Sequence, residues 1–181
     1  MQKTSKIILG LDPGSHNTGF GVLIVEAAQL NYIEHGVISA PQNLGFLARL
    51  EIIGKEIAKL VERVAPHVTV VEKIFLAKNA DSAFKLGHIR GVCLFEALKA
   101  KSEVVEYAAR SVKKGITGSG ASSKEQVQMM LYAALGIKMA AHAELKIDAS
   151  DALSLAYYHG RIMEFDSKYK AQMARQNLAR I

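Results

Sequence analysis

The stretch that decides the fold is "LGLDPGSHNTGFGVL", residues 9–23. Two apolar, glycine-containing runs flank an Asp-Pro-Gly turn, and the segment that leads into it, "KIILGLD", is apolar on both faces. Such a run predicts a central strand that is covered on both sides and ends in an acidic residue, Asp12. This aspartate is open to three interpretations: a turn residue, part of a phosphate-binding loop, or a ligand in a metal site.

Hydrophobic periodicity predicts alternating strands and helices around this stretch. Strands are predicted at residues 6–12, 18–26, 30–39, 67–73 and 103–108, and helices at 44–64, 80–101, 109–114, about 122–136, and from 148 past 158. Asn79 is the expected cap of the second helix, and Ser122 with Glu125 has the spacing of a capping box. This order predicts an α/β fold: three antiparallel strands extended by two parallel ones, with helices on both faces of the sheet.

Composition predicts one soluble domain in a reducing compartment. The chain has 181 residues, of which half are hydrophobic and 22% are charged. The single cysteine, Cys93, excludes a disulfide within the chain, and no apolar run is long enough for a signal peptide or a membrane span. We therefore expect a cytoplasmic protein with no membrane partner. The 23 basic and 17 acidic residues give a net charge of +6, which favours a polyanionic partner.

Two glycine-rich segments do not match nucleotide-binding motifs. In "GITGSGASSK", residues 115–124, alanine stands where a phosphate loop requires lysine. In "GFGVLI", residues 19–24, isoleucine occupies the third glycine position of the dinucleotide fingerprint. The six histidines are scattered without the spacing of metal ligands. Because none of these motifs is complete, the acidic residues are the remaining candidates for a functional site.

Four acidic residues form the strongest candidate site: Asp12, Glu72, Asp148 and Asp151. Asp12 and Glu72 each end an apolar strand, and parallel neighbouring strands would bring them together at the sheet edge where α/β folds place their sites. Asp148 and Asp151 are three residues apart at a helix start and share one face. Each has an ordinary alternative, such as a turn residue, a surface charge, a helix cap or a dipole partner, but the alternatives do not explain two apolar strands that both end in an acid.

Clustered carboxylates repel one another, and hard divalent cations relieve that repulsion. Mg²⁺ prefers oxygen ligands and shares its coordination sphere with substrate phosphates. Two such ions about 3.5–4 Å apart can activate water and stabilise the leaving oxygen of a phosphodiester. The four acids therefore predict metal-dependent phosphodiester chemistry.

At the level of motifs the chain resembles the RuvC family of Holliday junction resolvases, the crossover junction endodeoxyribonucleases. Four segments carry the resemblance, and they span nearly the whole chain: "ILGLDPGSHNTGFGV", "VEKIFLAKNADSAFKLGHIRG", "EYAARSVKKGITGSGASSKEQVQ" and "DASDALSLA". The resemblance implies an RNase H-like fold, a homodimer and cleavage with Mg²⁺, for which Mn²⁺ can substitute, and it assigns the same four acids to catalysis and metal binding. It places a nuclease domain at residues 1–160 and leaves residues 161–181 as a basic tail without a family counterpart.

The resemblance also gives a meaning to five DNA-facing candidates. Phe75, which alone reads as a core residue, becomes a wedge between base steps. Lys113 and Lys124 are similar to family lysines near the scissile phosphate, and Lys124 is expected to stabilise its charge. Lys78 and Lys114 are expected to contact the DNA backbone, although each could be an ordinary solvated charge.

The function that the resemblance implies is resolution of four-way DNA junctions by paired symmetric cuts in homologous recombination and repair. The products would carry 5′-phosphate and 3′-hydroxyl ends, and the branch-migration helicase components RuvA and RuvB would be partners. Gly87 and Gly91 permit close helix approach, either at a dimer interface or within the fold. The alternatives are an actin-like ATPase or sugar kinase, for which a second phosphate loop is missing, an RNA–DNA hybrid nuclease, and an inactive junction-binding scaffold.

Overall fold

The protein is described by a computed structural model, which defines residues 5–27, 29–73, 80–138 and 147–178, with side chains as far as residue 166. The strands are β1 (Lys6–Asp12), β2 (Asn17–Glu26), β3 (Gln29–Ser39), β4 (Val68–Glu72) and β5 (Glu103–Tyr107). The helices are α1 (Phe46–Val64), α2 (Ala80–Lys99), α3 (Ala109–Thr117), α4 (Lys124–Leu135) and α5 (Ile147–Leu178). Among the described residues, no helix has the length and apolarity that crossing a membrane requires.

The five strands form one mixed sheet in the order β3-β2-β1-β4-β5. The first three strands are antiparallel neighbours, and β4 and β5 extend the sheet in parallel from β1. The predicted α/β arrangement is therefore confirmed. β1 lies in the middle of the sheet, which explains why its residues from Ile8 to Leu11 are buried on both faces.

The helices form a layer on each face of the sheet. On one face, α1 and α2 pack against Leu9 and Leu11 of β1 through a core that includes Ile53, Ile57 and Cys93. On the other face, α3, α4 and α5 pack on a second core with large aliphatic side chains of its own. Since side chains alternate along a strand, the even-numbered residues of β1 face α5 and the odd-numbered ones face α1.

Helix α5 lies unusually close to the sheet because glycines form its docking surface. A methyl group added to Gly10 would lie 2.0 Å from the carbonyl oxygen of Ala152, and one added to Gly19 would lie 1.9 Å from that of Asp148. No side chain fits into such a gap, so glycine is required at both positions. Backbone contact of this kind fixes the start of α5 over the ends of β1 and β2.

Three boundaries differ from the sequence-based expectation or lie beyond what the structure describes. The N-cap of α4 is Ser123, which forms a reciprocal capping box with Gln126, so the prediction of Ser122 with Glu125 was wrong by one residue. Ser122 is instead held through its own side chain, which hydrogen bonds to Thr117. The expected cap Asn79 lies outside the described residues, and the backbone of α5 continues through residue 160 to Leu178.

The single cysteine is fully buried in the core between α1, α2 and the sheet. Burial raises the pKa of the Cys93 thiol to about 12. The thiol is thus a small core side chain that stays protonated near neutral pH.

Candidate active site

The ends of β1 and β4 bring the first two predicted acids together. These strands are parallel neighbours, with Leu11 paired to Val71, so the next residue on each strand is Asp12 or Glu72. The alternation of side chains places both carboxylates on the α5 face, because Ile8 of β1 and Val70 of β4 belong to the core on that face.

The first two turns of α5 bring the second pair. Asp148 lies in the first turn of the helix, and Asp151 follows one turn later on the same side. The close contact between Gly19 and the Asp148 carbonyl places this helix start beside the end of β1, since Gly19 pairs with Asp12. Four acids from three separate parts of the chain therefore lie near one another at one edge of the sheet.

Burial and mutual repulsion make this edge electrostatically costly. The pKa of Asp12 is raised from 3.8 to about 7, first by burial and then by the charges of Asp151, Glu72 and Asp148, while Lys124 opposes the rise. The pKa of Glu72 is also raised, first by burial and then by Asp151. An acid cluster of this kind is stabilised when a cation enters it.

The amino group of Lys124 is the cation that the chain itself supplies. Lys124 begins α4, and its Nζ donates to Oδ2 of Asp151 in an ion pair. Burial lowers the pKa of Lys124, but the hydrogen bond and the charge of Asp151, with those of Asp12 and Asp148, raise it above its ordinary value overall. The lysine is thus charged and directed at the acid cluster.

A pocket of about 170 Å³ opens at this point of the structure. Asp12, Glu72, Asp151 and both lysines predicted near the scissile phosphate, Lys113 and Lys124, are among its lining residues. The walls of this small pocket are completed by the apolar and hydroxyl side chains Ala109, Val112, Val127, Ser154 and Leu155.

The remaining predicted DNA-facing residues lie elsewhere or are not described. Lys113 donates from Nζ to the carbonyl oxygen of Ser122 at 2.8 Å, so it also supports the loop before α4. Lys114 lines a separate shallow depression at the start of α3, beside Arg110. Phe75 and Lys78 lie outside the described residues, so their predicted roles stay predictions.

The donor set suits a hard divalent cation. Every candidate ligand is a carboxylate, and burial, followed by the neighbouring acids, raises the pKa of Asp12, so its ionised form would gain from a cation. Within the described part of the chain, no three acids, histidines or cysteines stand in a preformed metal-binding arrangement. Asp151 is engaged by Lys124 in this conformation, so cation binding would require that carboxylate to change partner.

Comparison with known proteins places this arrangement in a family. The sequence model of one protein family, the crossover junction endodeoxyribonuclease RuvC, matches residues 8–159 of this chain. The chain belongs to the RuvC family. A RuvC from Bdellovibrio bacteriovorus is 49% identical over 171 residues, which cover 94% of this chain and 97% of the relative. A RuvC from Sodalis glossinidius is 40% identical over 158 residues, covering 87% and 88%.

Solved structures agree with this assignment. The chain matches RuvC from T. thermophilus in complex with a Holliday junction substrate, with a TM-score of 0.76, 26% identity, and coverage of 89% of this chain and 96% of that one. The yeast mitochondrial Holliday junction resolvase matches with a TM-score of 0.66 at 14% identity, covering 93% and 83%, and supports the fold alone. The resemblance, the RNase H-like fold and the enzyme class that the sequence predicted are thereby confirmed.

Sequence reasoning missed Ser154, which lines the pocket one helical turn after Asp151. The i+3 spacing on the same helix face could have found it. It also missed Tyr107, which pairs in register with Glu72 and whose hydroxyl hydrogen bonds to Nδ1 of His159 at 2.8 Å. No short-range pattern links Tyr107 with His159, because the two residues are 52 positions apart and meet only where α5 packs near β5.

Proposed function

We propose that this RuvC-family chain resolves four-way DNA junctions by paired hydrolytic cuts in homologous recombination and repair, leaving 5′-phosphate and 3′-hydroxyl ends. The observation that carries the proposal is the convergence of Asp12, Glu72 and Asp151 on one pocket with Lys124, with Asp148 close enough to shift the pKa of Asp12. The solved relative from T. thermophilus is in complex with a Holliday junction substrate, which supports the same substrate here.

Two Mg²⁺ ions, for which Mn²⁺ can substitute, are the proposed cofactors. Asp12, Glu72, Asp148 and Asp151 would hold them, since these carboxylates are the hard oxygen donors that the site offers. When bound, the ions would supply an activated water and charge stabilisation at the phosphodiester. The raised pKa of Asp12 supports this role. Burial and the neighbouring acids make its negative charge costly, and a bound cation would offset that cost.

The lysines of the pocket would act on the phosphate. Lys124 carries its charge beside Asp151, and once that carboxylate binds a cation the ammonium group is available to the phosphate oxygens. Lys113 also lines the pocket, and its hydrogen bond to the carbonyl oxygen of Ser122 holds it in place. We expect it to fix the position of the scissile phosphate rather than to take part in proton transfer.

Backbone contacts elsewhere would position the junction. Lys114 is proposed to bind a phosphate from the depression at the start of α3, and Lys78 and Phe75 are proposed to contact the backbone and a base step respectively. Because such binding releases counterions, the affinity for junctions should fall steeply as salt increases.

A homodimer is proposed because paired cuts on a nearly two-fold substrate require two active sites. Helix α2 carries a suitable apolar stripe: Phe84, Phe95 and Leu98 share one side and are 70%, 63% and 62% exposed. Gly87 and Gly91 lie on the same side, and nothing is within 4 Å of a methyl group added to either. A second α2 could therefore approach closely along this stripe.

The domain limits, the protein partners and the compartment of the reaction are also proposed. The nuclease activity would reside in residues 1–160, and residues 161–181 would form a basic tail. The branch-migration helicase components RuvA and RuvB would deliver the junction, and the reaction would take place in the cytoplasm.

The deciding experiment compares cleavage of a synthetic four-way junction with cleavage of an RNA–DNA hybrid in Mg²⁺. We expect two symmetric nicks in the junction, with ends that a DNA ligase reseals, and no cleavage of the hybrid. Preferential cleavage of the hybrid would replace the proposal with a hybrid nuclease on the same fold, and binding without cleavage of either would indicate a junction-binding scaffold.

A further inference from the structure

The two strands that carry acids at their ends are held from behind by arginines. Arg49 is in the first turn of α1 and Arg90 is in α2, both on the face of the sheet opposite the carboxylates. The guanidinium groups of both residues donate to backbone carbonyl oxygens next to those strand ends.

Arg49 joins two loops beside Asp12. Its Nε donates to the carbonyl oxygen of Ser15 at 3.0 Å, and its Nη1 donates to that of Leu44. The backbone NH of Ala40 donates to the carbonyl oxygen of His16 at 3.1 Å and joins the same two loops a second time. The turn that follows Asp12 is thus fastened to the loop before α1.

The burial of Arg49 is unusual for a residue with these partners. Arg49 is only 8% exposed, and no ion pair between side chains in the described part of the chain includes it. A buried guanidinium without a carboxylate partner is costly, and an apolar side chain of similar size often stabilises a fold better. Core packing alone therefore does not explain an arginine at this position.

Arg90 makes the corresponding contacts at the end of β4. Its Nε lies at a long 3.5 Å from the carbonyl oxygen of Glu72, and its Nη2 forms an ion pair with Glu106 of β5. The side chain is 18% exposed. The arginine thus connects the backbone of the acid-bearing strand with the neighbouring strand.

Neither arginine is among the charges that shift the pKa of Asp12 or Glu72. The charges that shift the pKa of Asp12 are those of the other acids and Lys124, and those that shift Glu72 are Asp151, Lys124 and Lys113. Each arginine instead reaches a strand end through one backbone carbonyl oxygen: that of Ser15, three residues after Asp12, for Arg49, and that of Glu72 itself for Arg90.

We propose that Arg49 and Arg90 are positioning residues that hold the backbone of the β1 and β4 ends so that Asp12 and Glu72 meet at the distance the reaction requires. Displacements of about 1 Å at a reacting centre reduce rates by about 100-fold. Support from an arginine fork is more rigid than support from a lysine, because the fork donates in two fixed directions. This inference rests on the proposed catalytic role of the two acids.

The test measures single-turnover cleavage of a four-way junction by the full chain over a Mg²⁺ titration, with junction affinity measured without Mg²⁺ and the melting temperature measured in parallel. Arg49→Met and Arg90→Met are compared with Arg63→Met, an arginine of α1 that is ion-paired with the side chain of Glu34. We expect cleavage to fall by at least about tenfold in the first two variants and to need more Mg²⁺, with affinity within about twofold. We expect Arg63→Met to cleave within about twofold of the unchanged chain.

Cleavage by Arg49→Met and Arg90→Met equal to that of the unchanged chain, or a loss that disappears once the rate is expressed per folded molecule, would overturn the inference. If Arg49→Met does not fold, Arg49→Lys decides, because it keeps the charge but loses the fork; cleavage equal to the unchanged chain would count against the inference. The variant Asp148→Asn distinguishes failure of the proposed catalytic site from failure of the positioning role. If that variant still cuts, the proposed site is wrong; if it does not cut and the arginine variants do, only the positioning role is wrong.

Discussion

The two faces of the sheet are covered in different ways. On the α5 face, strand glycines touch the backbone of a helix, and the acids and lysines of the site project from this layer. On the α1–α2 face, the contacts are made by large side chains, and the outer surface of α2 exposes an apolar stripe. Close backbone contact leaves no room for an added methyl group, whereas side-chain packing tolerates substitutions that keep the volume of the core. The chain thus places its chemistry on the rigid face and its proposed partner surface on the adaptable one.

Loss of one acid on the α5 face should have the largest effect. We expect Asp148→Asn to bind four-way junctions yet cut them about 1,000-fold more slowly, a barrier increase of about 4 kcal/mol, because a neutral amide is a poor ligand for Mg²⁺. Binding is measured by gel shift and cutting by single-turnover kinetics. The matched change on the other face, Glu51→Gln, removes an exposed carboxylate that is paired with Lys55 and should leave cutting unchanged. Retained cutting by Asp148→Asn would remove Asp148 from the site.

A methyl group in the glycine contact should have the next largest effect. Gly19→Ala would place Cβ 1.9 Å from the Asp148 carbonyl oxygen, so α5 must move, and we expect a loss of about 3 kcal/mol and a melting temperature about 10 °C lower. Gly54→Ala is the control on the α1–α2 face, where the new Cβ lies 3.4 Å from a methyl group of Val92. Alanine favours a helix interior, so this variant should be as stable as the unchanged chain or slightly more stable. Equal melting temperatures for the two variants would contradict the difference between the faces.

Stability without divalent cations should depend on pH through Asp12. Its carboxyl group ionises near 3.8 when unfolded and near 7 when folded, so the folded state keeps a proton that the unfolded state has lost. The free energy of unfolding should therefore fall as pH rises from about 4 to 7 and stay low above that. We expect Asp12→Asn to be more stable than the unchanged chain at pH 8 and to approach its stability below about pH 4. Urea unfolding at both pH values measures this, and a variant less stable at pH 8 would contradict it.

The smallest effect is expected at the apolar stripe of α2. Phe95→Asp should weaken self-association about tenfold, or about 1.4 kcal/mol, because it places a charge in a surface that a second copy would bury. The control is Leu47→Asp in the first turn of α1, because Leu47 is 75% exposed but lies off the stripe. Sedimentation velocity over a concentration series distinguishes them. A chain that is monomeric at every concentration would contradict the proposed dimer.

Local patterns predicted most of the fold and picked out the four acids, whose catalytic role stays a prediction. The strand β1, Asp12 and Glu72 stood out because apolar runs that end in a carboxylate are visible within a few residues, and Asp148 and Asp151 because they are three residues apart at a helix start. The cap of α4 was placed one residue early because Ser122 and Ser123 are both good caps, and the choice depends on Thr117 and Lys113, which engage Ser122.

Long-range contacts could not be predicted from the sequence. The pair of Lys124 and Asp151 spans 27 residues, and the contact of Arg49 with Ser15 spans 34. The requirement for glycine at positions 10 and 19 also depends on where α5 docks, which no nearby residue reveals. These features depend on the packing of separate elements, so they became visible only in the folded chain.

The buried Cys93 has a practical consequence for labelling. Thiol-reactive dyes and spin labels attack the thiolate, and a core thiol with a pKa of about 12 offers almost none of it at neutral pH. A cysteine introduced at an exposed position should therefore take up the label alone, without removal of the native residue. Distances between labelled positions on the α5 face and on α2 could then be followed by fluorescence or electron spin resonance while a junction is bound and cut.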